Sequence, residues 1–279
     1  MRALELFCGI GGFAAAIPEA EVVLAIDQSR PALAVHEANL PAPTRPWNLD
    51  HVRPEALDVG ADLWWLSPPC QPYTVRGAGR ALDDPRTRSF RAVVAAAARL
   101  RPRWLAMENV PPFAGSAAEN LLRDALPGYR VESGLLCPTE LGVPMRRRRF
   151  YLVAGRDPLP LAFVPTPVRL AEQLDVAGPE PLDLDAWKHA IHVVDPADPG
   201  AVANCFTSAY GRSVVRAGSY LRVPGGVRRF RPTEIARLLG FPEGWRLPPD
   251  PADAWPLLGN SLSLHAVRAA LAQIGRAHV

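Results

Sequence analysis

Short apolar runs alternate with amphipathic or alanine-rich stretches through the first half of the chain. Ala3–Phe7 and Val22–Ile26 read as buried strands. The first leads through Cys8-Gly9-Ile10-Gly11-Gly12 into an alanine-rich helix pattern stopped by Pro18, and the second leads into a helix over 31–39. Asp62–Leu66 is a further strand, and Pro68-Pro69, lacking backbone N–H groups, must end its ladder. A helix pattern over Ser89–Leu100 brings the chain to a strand at Trp104–Met107 that ends in Glu108-Asn109-Val110. Ser116 with Glu119 forms a capping box for a helix to about Ala125, which assigns Glu119 a structural role. Tyr129–Leu136 and Arg149–Ala154 complete the series as strands. This rhythm predicts an α/β fold built on a doubly wound, mostly parallel sheet.

The rhythm then breaks. Between residues 155 and 228 prolines recur at 158, 160, 165, 167, 179, 181, 196 and 199 without strong periodicity, which predicts a small second domain. A capped helix from Arg231 to its stop at Gly240 and a last helix over Ser263–Ile274 follow. The expected organisation is a catalytic domain over 1–154, a small recognition domain over 155–228, and C-terminal helices over 229–279 that pack back on the first lobe.

Composition narrows the class. A chain of 279 residues holds one α/β domain and a small appendage. It shows neither an apolar run of about 18 residues nor a signal-peptide pattern, so a cytoplasmic protein with no membrane span is expected. Cys8, Cys70, Cys137 and Cys205 lie far apart with no C-x-x-C pair, which predicts reduced thiols rather than a metal site or a disulfide framework. Lys188 is the only lysine, so the positive charge is almost all arginine. Eight arginines lie between Gln71 and Trp104 against Asp83 and Asp84, and six lie between Gly200 and Arg231 with no acid. Two such stretches suit a polyanionic partner, and solvated helix faces are the other reading.

Candidate chemistry collects at the ends of the predicted strands. Cys70 falls on a proline-stiffened loop at the carboxyl edge of the sheet, where open α/β sheets bind ligands. A lone cysteine reads as a buried small hydrophobe. Gln71, Thr74 and Arg76, however, give this one the polar, cationic surroundings of a thiolate nucleophile. The glycine turn suits a nucleotide-like ligand or is a plain tight turn. Asp27, at the tip of the next strand, reads either as an acceptor for ribose hydroxyls or as a helix N-cap. Glu108 ends its strand on the same edge. In the tetrad Arg146–Arg149, alternation sends Arg147 and Arg149 to one face and Arg146 and Arg148 to the other.

Phe7-Cys-Gly-Ile-Gly-Gly12, Asp27, Pro69-Cys-Gln71, Glu108-Asn-Val110, Arg147-x-Arg149 and Gly259-Asn-Ser261 together resemble the ordered motifs of the cytosine-5 methyltransferase family. Pro68–Thr74, Asp84–Phe90, Cys205-Phe-Thr207 and Tyr210-Gly211 resemble its tRNA-directed branch, while Met145 stands where many DNA-directed relatives carry glutamine. The resemblance implies a Rossmann-like fold that binds S-adenosylmethionine and releases S-adenosylhomocysteine. It implies Cys70 as nucleophile, Glu108 as partner of the cytosine ring, and Arg147 and Arg149 as anchors of the base and phosphate, with Arg149 also favouring the Cys70 thiolate. Cofactor contacts are implied for Phe7, Gly9, Ile10, Gly11, Gly12, Asp27, Asp50, Pro69, Asn260 and Ser261. Substrate contacts are implied for Gln71, Thr74, Arg76, Asn109, Cys205, Phe206, Thr207 and Tyr210, although Cys205 equally reads as a packing residue. The implied substrate is an anticodon-loop cytosine, position 38 of the aspartate tRNA, acted on by a monomer with no metal. A DNA cytosine-5 methyltransferase, which shares the same catalytic residues, and a noncatalytic cofactor- and RNA-binding module are the competing readings. A dinucleotide oxidoreductase leaves Pro-Pro-Cys-Gln and Glu-Asn-Val without a role.

Overall fold

The computed structural model describes residues 1–70, 84–175, 181–182 and 184–273. They form two compact units: the first takes its described residues from Met1–Leu136, Arg148–Val164 and Val267–Val279, and the second from Cys137–Arg147 and Pro165–Ala266.

In the first unit, strands β1 (Arg2–Leu6), β2 (Glu21–Ile26), β3 (Thr44–Arg45), β4 (Leu63–Leu66), β5 (Trp104–Asn109), β6 (Arg130–Leu136) and β7 (Arg149–Gly155) make one sheet. Its order is β3-β2-β1-β4-β5-β7-β6. All pairings are parallel except those of β7, which runs antiparallel to both neighbours. The chain moves outward from β1 in one direction and from β4 in the other, so the switch point that opens a ligand crevice lies between those two strands. Helices α1 (Gly12–Ala16), α2 (Arg30–Asn39), α3 (Arg88–Leu100) and α4 (Ala117–Asp124) complete the unit.

β4 and β5 are buried along their whole length, as the unbroken apolar runs require. One set of β4 side chains, Trp64 and Leu66, joins Leu6, Phe90, Val93, Met107, Phe113 and Phe150 in the main core. Trp65 points the other way and stacks on Phe13 of α1, ring centroids 5.2 Å apart. β5 runs two residues beyond the expected Met107, because Glu108 and Asn109 pair antiparallel with Tyr151 and Phe150 of β7. β1 stops one residue early: Phe7 takes φ +58, a left-handed conformation that no strand residue holds. Ser116 caps the helix, its Oγ accepting from the Glu119 N–H at 3.2 Å, but the return bond of the expected capping box goes to the Gly115 N–H, because the Ser116 N–H donates to the Phe113 carbonyl; the Glu119 carboxylate also holds Arg123.

The second unit carries a three-stranded sheet, β8 (His192–Val194), β9 (Ser219–Val223) and β10 (Gly226–Arg229), with helices α5 (Pro232–Leu239) and α6 (Pro251–Gly259). The expected boundary at 229 is corrected here: residues 229–266, and 137–147 as well, belong to this unit. Phe206, Tyr210, Phe230 and Trp255 explain why, since their rings form one edge-to-face cluster that ties α6 and the segment before α5 to the middle of the chain. Only the end of α7 (Leu264–Gln273) returns to the first unit, where Arg268 donates to the Ala16 carbonyl and pairs with Glu19. Among the described residues no helix is long and apolar enough to cross a membrane, and no His/Cys/Asp/Glu group is arranged to hold a metal.

Glu234 is the polar centre of the second unit. Fully buried, it accepts two bonds from Arg228 at 2.7 and 2.9 Å and the N–H groups of Arg231 and Asp175. Removing one member of such a buried pair strands the other charge, so Glu234→Ala is expected to cost about 3–5 kcal/mol in urea unfolding, whereas truncating the exposed Glu243 should cost less than about 1 kcal/mol.

Candidate active site

The site begins as a line of strand ends. Leu6, Leu66 and Met107 lie side by side in the β1, β4 and β5 ladders, so the segments that follow them leave the sheet at one edge. The Ser67 N–H still donates to the Leu6 carbonyl at 3.2 Å, and the prolines then end the ladder. Cys70, two residues past the end of pairing at Pro68, is partly exposed. Asn109 holds this loop from the neighbouring strand, its Nδ2 donating to the Pro68 carbonyl at 3.2 Å while its Oδ1 accepts from the Val110 N–H. Asn109 is 1 % exposed.

Glu108 and Arg149 arrive at the same edge from antiparallel neighbours, and Arg149 Nε pairs with Glu108 Oε1 at 3.1 Å. The alternation expected in the tetrad holds, with Arg146 and Arg148 exposed and Arg147 and Arg149 turned inward. A thiol, a carboxyl group and a guanidinium, distant in sequence, thus gather on one sheet edge.

The glycine turn occupies the adjacent end of β1. Gly9 and Gly11 hold φ +53 and +86, and a Cβ on Gly11 would lie 2.3 Å from Leu40 Cδ1 and 2.9 Å from the His36 ring. A Cβ on Gly9 would meet nothing within 4 Å, which leaves this backbone open to a ligand. Asp27 braces the turn: its two carboxylate oxygens accept from the N–H groups of Gly9 at 2.9 Å and Ser29 at 2.7 Å. Ser29, and not Asp27, caps α2. Ile10 and Gly12 are buried, Phe7 and Pro69 partly so, and Asp50 accepts from the Ser89 hydroxyl. Cys8 is no second nucleophile, since burial, then Glu5 and Asp27, push its thiol far above the ordinary value.

The second unit places the remaining residues. Arg147, 4 % exposed, directs Nη1 to Cys205 Sγ (3.4 Å) and the Phe206 carbonyl (3.2 Å), and Nη2 to the carbonyls of Gly259 (3.2 Å) and Ser261. Its fork clasps two segments of its own unit. Phe206 and Tyr210 belong to the same unit. Both are buried rings, and the Tyr210 hydroxyl donates to the Ser219 carbonyl and accepts from the Phe230 N–H. Thr207 bonds through its backbone to Ala217, and a Cβ on Gly259 would lie 2.2 Å from the Thr207 carbonyl carbon, so these motifs pack backbone to backbone. Asn260 is the exposed C-cap of α6, and Ser261 is buried. Gln71, Thr74 and Arg76 lie outside the described residues, as does most of the loop expected over 76–88.

Sequence reasoning missed Glu5. It is fully buried beneath the turn, its Oε1 accepting from the Phe13 N–H at 3.1 Å and its Oε2 lying 3.7 Å from His36 Nε2. An acid in the middle of a strand buried on both faces was the available signal. Burial raises its pKa above the ordinary 4.5, opposed by His36 and the Phe13 N–H. The folded state therefore keeps this proton to a higher pH than the unfolded chain does, and stability is lost as pH rises from the ordinary carboxylate value through the raised one. Urea unfolding across that interval should show Glu5→Gln with a flatter pH dependence than the wild type; equal slopes would contradict the shift.

The profile of the family described as C-5 cytosine-specific DNA methylase matches residues 1–193. The protein named tRNA (cytosine(38)-C(5))-methyltransferase from Bos taurus is 27 % identical, covering 96 % of this chain and 97 % of its own. The solved structure of the S. pombe Dnmt2 methyltransferase superposes with a TM-score of 0.86 at 26 % identity over 98 % of both chains. Type II methyltransferase M.HhaI from Haemophilus parahaemolyticus is 24 % identical over 99 % of this chain and 94 % of its own.

Proposed function

Because the chain belongs to the C-5 cytosine-specific DNA methylase family, a class of S-adenosylmethionine-dependent enzymes, we propose that it methylates C5 of an anticodon-loop cytosine in tRNA. The base is position 38 of the aspartate tRNA, and Cys70 is the covalent nucleophile. The Glu108–Arg149 pair beside the proline-terminated Cys70 loop carries the chemistry. The end-to-end match to the bovine protein of that name supports the substrate.

The open backbone at Gly9 and the braced carboxylate of Asp27 fit the cofactor, with Asp27 offering its remaining lone pairs to ribose hydroxyls and Asp50 facing the adenine. When bound, the cofactor supplies an electrophilic methyl group. Cytosine C5 is a weak nucleophile until the ring is opened to addition. The Cys70 thiolate adds at C6, forming the S–C6 bond and pushing the C5–C6 electron pair into the ring. Glu108 shares a proton with N3, where charge builds, and Arg149 holds the carboxyl group in place. Once C5 is methylated, its proton passes to water and the returning electron pair expels Cys70. Extrusion of the base costs a few kcal/mol and less in a loop than in a duplex.

Cys70→Ala is expected to lower methyl transfer at least about a thousandfold with cofactor affinity unchanged, and tRNA carrying 5-fluorocytosine should trap the wild type as a denaturation-stable adduct. Retained turnover, or absence of the adduct, overturns covalent catalysis. Glu108→Gln should reduce kcat about a hundredfold. The match to M.HhaI favours duplex DNA as a second reading. Labelled cofactor offered with tRNA or DNA separates them, and label in DNA alone overturns the tRNA assignment while leaving the reaction intact.

A further inference from the structure

We propose that a pocket within the second unit binds a nucleotide of the RNA other than the methylated one, an inference that rests on the tRNA substrate proposed above. The cavity has a volume of about 780 Å³ and lies between the start of α5 and the segment from Trp245 to Trp255. Flat apolar groups, including Trp245, Trp255, Pro248 and Pro249, form much of its lining. Such surfaces stack a base or cover a ribose.

Two donors in this lining lack acceptors. Arg229 Nε and Trp245 Nε1 are both buried with no hydrogen-bond partner. Leaving a buried donor unmet costs about 1–3 kcal/mol, so a ligand that brings acceptors recovers a real deficit. Within the same lining, Trp255 Nε1 by contrast donates to the Phe230 carbonyl at 3.0 Å. Trp255 is also held rigidly: a Cβ on Gly211 would lie 2.2 Å from its ring, and Arg229 Cζ sits 5.8 Å from its ring centroid.

Charge selects the occupant. Asp175 is the one acid among the lining residues, and it is already satisfied by Arg237 at 2.6 Å and by Arg231 and Thr233 at 3.2 Å each. Glu243, outside the lining, also pairs with Arg237 at 3.3 Å, so Arg229, Arg231 and Arg237 against these two acids leave one positive charge in excess. Aromatic faces, unmet buried donors and one arginine charge in excess together match a base that carries acceptor edges and an anionic phosphate, and they match a neutral peptide poorly.

The test uses the full chain. Nucleoside 5′-monophosphates are titrated while the indole N–H signal of Trp245 is followed by NMR, its assignment fixed by Trp245→Phe, which keeps a ring and removes the donor. A saturable shift is expected, together with a tRNA dissociation constant raised about tenfold in both Trp245→Phe and Arg229→Gln, at unchanged cofactor affinity and melting curve. If no monophosphate moves the Trp245 signal, or if both variants bind tRNA within twofold of the wild type, the proposal is overturned. A wild type that methylates only duplex DNA overturns the tRNA reading instead, and the monophosphate titration then decides the pocket alone.

Discussion

A parallel ladder can continue only while each strand offers its N–H groups, and at residue 68 the offer ends. Pro68 and Pro69 terminate β4 level with the end of β1 and two residues short of the end of β5, releasing Cys70 onto a short, stiff ledge above the sheet. The neighbouring ladder does the opposite. β7 pairs antiparallel with β5 and carries it two residues further, which brings Glu108 level with Tyr151 and into reach of Arg149. One ladder cut short beside one prolonged sets a thiol and a carboxyl group on the same edge, and Asn109 ties the two together through the Pro68 carbonyl.

Buried polar groups then hold what regular structure does not. Beneath the glycine turn, Glu5 accepts from the first turn of α1, and Asp27 bridges the turn to the start of α2. In the second unit, whose sheet has only three strands, Glu234 gathers Arg228, Arg231 and Asp175, and Arg147 joins the Cys205 segment to the Gly259–Ser261 segment. Each charge is costly to bury alone, so the bonds it makes fix local geometry more sharply than apolar contacts do.

Local geometry divides the motif residues differently from their order in the sequence. Cys70, Glu108 and Arg149 stand at one edge of the sheet. Arg147, Phe206 and Tyr210, equally prominent as motifs, serve packing and clasping.

The sequence by itself determined the α/β rhythm, the stop after β4, the helix cap at Ser116 and the alternation within the arginine tetrad. Each follows from a missing N–H, a local side-chain bond or a two-residue repeat, all properties of neighbours in the chain. Tertiary structure alone decided the rest: that β5 extends to Asn109, that residues 229–266 join the second unit, that Glu5 is buried and that Arg147 faces its own backbone. Those outcomes turn on partners distant in sequence. A hydrophobic or charged pattern states that a face must be covered or a charge satisfied, without saying by which residue.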